Sequence, residues 1–152
     1  MDGVGYEVFT RKMGIDRAPV IVAAGGAWES SYQPPRVSGN RIVWAMKEDA
    51  GYRVYTRKMG VDSAAIQVTE DPSFDPQPRV SADRIVWLAG SQTDPRLFTR
   101  KMGADAVAAI VDVDSKNQQF PAVSGDRIVW SGVPDVGTWQ VFTAVPSHGT
   151  ER

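Results

Sequence analysis

The heptapeptide SGDRIVW at residues 124–130 is written three times in this chain, standing also as SGNRIVW at 38–44 and as SADRIVW at 81–87. Trp44, Trp87 and Trp130 are therefore spaced by 43 residues each time. A second word, TRKMG, begins at Thr10, Thr56 and Thr99, and a degenerate version, VFTAV, puts Thr143 in the same register. Such a period restricts the chain to an array of one supersecondary unit, each copy burying its apolar faces on its neighbours.

Within a unit, four short apolar runs alternate with turn residues, which predicts four strands. The unit beginning at 78 reads PRVS (78–81), a two-residue turn at Ala82-Asp83, RIVWLA (84–89), RLFTRKM (96–102) and VAAIVDV (107–113). Gly39-Asn40 and Gly125-Asp126 occupy the equivalent turn and suit hairpins that need a positive backbone angle. Ala82 does not, which predicts strain or another turn type at that position. Residues 104–109 contain good helix formers, but other units carry VIVAA and AIQVT in this place, so repeat logic predicts strand.

Neighbouring residues in these runs, such as Ile42, Val43 and Trp44, are apolar, so both faces of each sheet call for burial. Four-stranded antiparallel sheets covered on both faces by copies of themselves, at this period, describe an all-β protein of the β-propeller class. Ile42, Trp44, Ile85, Trp87, Ile128 and Trp130 are then the expected blade-to-blade core.

The unit P-x-V-S-G-D-R-I-V-W, followed by Y-x-V-F-T-R-K-M-G, resembles the WD40-like repeats of TolB-type propellers. Blades of that family carry a Pro-x-x-Ser-Pro-Asp-Gly turn before an apolar strand; here Gly or Ala replaces the second Pro and Arg replaces the Gly. The unit is also similar to propeller repeats of prokaryotic cell-surface proteins. The resemblance implies an extracellular or cell-envelope location and a blade signature without catalytic residues.

Residues 1–152 read as a single propeller segment. The third and fourth strands of one blade fall in 1–34, complete blades in 35–77 and 78–120, and the first three strands of another in 121–152. Propellers close with about four to eight blades. Some three blades per chain therefore predict a ring completed by oligomerisation, with a dimer giving six.

Charge and composition exclude several function classes. Lys and Arg number 17 against 18 Asp and Glu, so no field draws the chain to nucleic acid or an anionic membrane. The N-terminus has no basic start before an apolar run, and no stretch approaches the roughly 18 apolar residues of a membrane span, so neither a signal peptide nor membrane insertion is expected. There is no cysteine and one histidine, His148, in the polar tail PSHGTER. Thiolate or zinc sites and nucleophile–histidine pairs cannot be assembled within one chain from that set. Neither metal nor cofactor is expected.

The acidic stretches at 70–78 and 112–115 lack the Gly and terminal Glu of a calcium loop and read as solvated connections between blades. No two acids stand apart as a glycosidase pair. Arg11-Lys12, Arg57-Lys58 and Arg100-Lys101 are expected to pair with the turn acids Asp16, Asp62 and Asp105. Aromatics that differ between units are the candidate ligand contacts: Trp28, Tyr32, Phe74, Phe120 and Trp139. The expected function is a non-catalytic scaffold or interaction unit whose first partner is itself. Any further partners of that unit would be proteins or glycans. The alternatives are a multivalent carbohydrate-binding propeller, an excised or designed propeller-assembly fragment, and a propeller glycoside hydrolase.

Overall fold

A computed structural model of the chain describes residues 5–27 and 33–146. Trp28, Tyr32 and His148 lie outside the described residues. The described chain contains thirteen strands and no helix. They form four antiparallel sheets, each with its strands in sequence order. The first holds β1 (Gly5–Thr10) and β2 (Val20–Ala27), and the second β3 (Arg36–Ser38), β4 (Arg41–Glu48), β5 (Gly51–Lys58) and β6 (Ile66–Gln67). The third holds β7 (Arg79–Ser81), β8 (Arg84–Ser91), β9 (Asp94–Lys101) and β10 (Ala109–Ile110), and the last β11 (Lys116–Ser124), β12 (Arg127–Val133) and β13 (Gln140–Ala144).

Near-continuous apolar runs form these strands because the two middle sheets each lie between two others. Ile42 and Trp44 point from β4 toward the first sheet and pack with Val8 and Val22. Val43, between them, points the opposite way and packs with Val54, Val68, Ile85 and Trp87. The next joint repeats this arrangement, with Val86, Leu88 and Leu97 meeting Ile128 and Trp130. Each Trp also stacks on the aromatic opposite it in the adjacent strand: Trp44 on Tyr55, Trp87 on Phe98 and Trp130 on Phe142, with ring centroids 6.1, 6.1 and 5.8 Å apart.

Two boundaries depart from the sequence reading. The outermost strands β6 and β10 are two residues long, so most of 104–109 is turn and strand begins only at Ala109. The Asp105 carboxylate closes that turn by accepting the Lys101 N–H at 2.6 Å, which ends the preceding strand. In the last sheet, β11 starts at Lys116, ahead of the expected Pro121. Left-handed backbone at Asn117 and Phe120, each with φ 52°, creates two register shifts that let this connection pair with the far end of β12.

The first turn in each of the three hairpins keeps one geometry. Gly39, Ala82 and Gly125 have φ of 55°, 49° and 57°, while Asn40, Asp83 and Asp126 are not among the positive-φ residues. This is the II′ pattern, which a glycine adopts freely and an alanine does not. Ala82 therefore carries the expected strain without changing the turn type. Ala82→Gly should stabilise the fold by about 0.5–1 kcal/mol, the left-handed penalty less the extra freedom of unfolded glycine. Gly125→Ala should cost a similar amount, since an added Cβ there meets nothing within 4 Å. Urea unfolding of both variants measures this, and a destabilised Ala82→Gly would contradict it.

Candidate functional site

The residues of SGDR that precede each buried strand meet across the joints between sheets. Arg41, on β4, donates from Nε to Asp83 Oδ1 in the next sheet at 2.9 Å and from Nη1 to Thr56 Oγ1 at 3.2 Å. Lys58 reaches the same Asp83 carboxylate at 3.2 Å. One repeat later, Arg84 donates to Asp126 at 2.7 Å and to Thr99 at 3.2 Å, and Lys101 lies 3.4 Å from Asp126. The side chains of Arg41 and Arg84 are only 7% and 2% exposed. Ser38 and Ser81 complete the contact by accepting the N–H of Ala82 and Gly125, both at 2.8 Å.

These clamps set the electrostatics. The bond from Arg41, supported by Lys58, holds the Asp83 carboxyl below the usual carboxylate range, and Arg84 with Lys101 does the same for Asp126. The expected pairing of Lys58 and Lys101 side chains with Asp62 and Asp105 is corrected here. Those carboxylates accept the lysine backbone N–H groups at 2.6 Å, leaving each ammonium to cross to the next sheet. The guanidinium groups of Arg57 and Arg100 bond to backbone carbonyls of the same turns.

At the opposite end of the sheets, a cleft of about 840 Å³ opens between the β4–β5 hairpin and the connection that carries Phe74 to Gln77. Phe74 and Phe120, 57% and 65% exposed, both line it, with Lys47, Tyr52 and Arg79 among the other residues. Among the described residues Asp75 is the one carboxylate in this lining, and it accepts bonds from the amides of Gln33 and Gln77. Beside the cleft, Glu48 accepts the hydroxyl of Tyr55, whose pKa is pushed up to about 12 by burial and by that carboxylate. The acidic stretch at 112–115 forms a local cap: Asp112 accepts from the Asp114 and Ser115 N–H groups at 2.9 and 3.1 Å and from the Ser115 hydroxyl. Against the effect of burial, these bonds keep the Asp112 carboxyl below its ordinary range. Among the described residues no group of three or more His, Cys, Asp or Glu is placed to hold a metal ion.

No model of a known protein family matches the chain, and no curated protein matches it. A crystal structure of TolB from Acinetobacter baumannii superposes on it with a TM-score of 0.61 at 11% identity. The match covers 83% of this chain and 32% of that one. The fold is a β-propeller-like array. Each sheet is accordingly a blade, and this chain spans about a third of the length of that structure.

Of the aromatic candidates, the blade array brings Phe74 and Phe120 to one cleft. Trp139 is 53% exposed and lies outside the cleft lining. The six proposed core residues are all buried, between 0% and 5% exposed. What the sequence reading missed is the interblade role of Ser, Asp, Arg and Lys, although all four recur with the tryptophan period.

Proposed function

We propose that the protein is a non-catalytic propeller scaffold whose open terminal blade faces are covered by a second copy, closing six blades. One observation carries this reading. Val43 and Val86, which point toward a following blade, are 0% exposed, whereas Val129 at the same place in the last blade is only partly buried. Phe9, equivalent to the stacked Tyr55 and Phe98, is 54% exposed at the other end. Covering such side chains is worth about 1.5–3 kcal/mol each, and both ends present backbone edges able to pair. That one carboxylate lines the cleft among the described residues, already bonded to two amides, supports the non-catalytic part of the reading, since acid–base hydrolysis of sugars uses two. Light scattering should give twice the 16.6 kDa chain mass at micromolar concentration. A single-chain mass there would overturn the proposal.

A further inference from the structure

We infer that the two copies join by strand exchange, with β1 and β2 of one copy displacing β13 of the other to complete its last blade. The inference rests on the dimer reading and adds which surfaces meet. The thirteen strands among the described residues are one more than three four-stranded blades hold. The surplus is specific, because β1 and β13 both occupy the third-strand place of a blade. In a closed ring of two copies, one of them must leave.

Side chains favour β1. Its sequence continues as TRKMG with Asp16 beyond, and Asp16 already accepts the Lys12 N–H at 2.6 Å, the same distance as Asp62 to Lys58 and Asp105 to Lys101. By contrast β13 ends at Thr143-Ala144 and is followed by Val145-Pro146, with Val145 where the clamping lysine belongs. It pairs with β12 through five residues, whereas β4–β5 and β8–β9 each pair through eight. Arg127, the counterpart of the buried Arg41 and Arg84, faces no following sheet among the described residues; it is exposed and bonds to Thr143 at 3.2 Å.

The receiving surface is also present. Beside the open edge of β1 lies a groove of about 890 Å³ lined by Phe9, Lys12, Asp16, Val37, Asn40 and Ile42. Relative to β5 and β9, this is where the first two strands of a blade sit, so β11 and β12 of a second copy fit it. There Trp130 exchanges Phe142 for Phe9, and Arg127 gains Asp16 and Lys12 as neighbours. Across the joint it meets Asn40, which stands where Asp83 and Asp126 stand in the internal joints. An amide oxygen replaces a carboxylate, making this joint the weakest of the clamps.

Cross-linking tests the exchange directly, since the chain has no cysteine of its own. Val43 pairs with Thr56 and Val86 with Thr99, so exchange sets Val129 opposite Thr10 of the other copy; without it, Val129 stays opposite Thr143. Directly opposed residues have Cα atoms about 4.5–5.5 Å apart, within disulfide reach. Thr10→Cys combined with Val129→Cys should give a covalent dimer on mild oxidation. A dimer by mass in which that variant stays unlinked, while Val129→Cys with Thr143→Cys links within one chain, overturns the exchange and leaves the dimer reading standing. A single-chain mass overturns both. Asn40→Asp should tighten the dimer about tenfold by restoring the charged clamp, and an unchanged or weaker dimer counts against Arg127 meeting residue 40.

Discussion

Replacing Trp87 with Ala is expected to lower the free energy of unfolding by about 3–5 kcal/mol. The side chain is 2% exposed and sits among Val43, Val54, Val68 and Ile85, so the cavity would open inside the joint between two blades. Its stack on Phe98, with planes 17° apart, is lost as well. Neighbouring strands cannot collapse into the gap, because both are fixed by eight-residue pairing to their own partners. Denaturant unfolding monitored by far-UV dichroism measures the loss. Trp139→Ala is the control: at 53% exposure it should change stability by no more than about 0.5 kcal/mol. Equal effects from the two tryptophans would contradict the assignment of Trp87 to the interblade core.

The second large effect belongs to Asp83→Ala, which should cost about 2–3 kcal/mol. Removing the carboxylate leaves the guanidinium of Arg41 buried and short of a partner, which is more costly than losing the bond itself. The figure lies below that for a fully buried pair, because the Asp83 side chain is 33% exposed and water screens it. Adding Arg41→Met removes the stranded charge, so the double variant should be more stable than Asp83→Ala alone. The acid limb of the stability curve gives an independent reading. Asp83 and Asp126 have lowered carboxyl pKa values in the folded chain. Their contribution is therefore fully present above the ordinary carboxylate value and is lost as pH falls through the lower folded values. Stability should be flat between pH 7 and 5 in these terms and decline below about pH 4, with a shallower decline in Asp83→Ala. A decline of equal slope in both proteins would remove the clamp from the account.

Architecture was legible in this sequence to an unusual depth, because one spacing sets many strands together. The tryptophan period and the two-residue turns place β4, β8 and β12, and adjacent apolar residues such as Ile42 and Val43 require sheets covered on both faces. The ends of strands were less legible. Asn117 is a residue type that tolerates left-handed backbone, but nothing local predicts that Phe120 turns left-handed too and lets β11 begin at Lys116, because that conformation is imposed by pairing with β12. The clamp residues were hidden for a different reason. Asp83 reads as a turn residue, and its bond to Arg41 spans 42 positions, a separation no window on the chain covers. A signal did exist, since Ser, Asp and Arg recur together at the repeat period while a plain hairpin turn needs only its glycine. Phe74 and Phe120 stood out as unrepeated aromatics, but the cleft they share depends on connections that differ from blade to blade.

The clamps also run in one direction. At both internal joints the preceding blade gives cations from its second and third strands and the following blade receives them on the carboxylate of its first turn, so the array has one giving end and one receiving end, where Asn40 offers an amide oxygen in place of that carboxylate. Two like ends brought together would set guanidinium against guanidinium, or turn against turn, with no partner for either. Polarity of this kind acts as a key: copies can meet only head to tail, and a pair that meets so closes with two identical joints. The same key makes the array modular, since a blade inserted anywhere finds its acceptor on one side and its donor on the other.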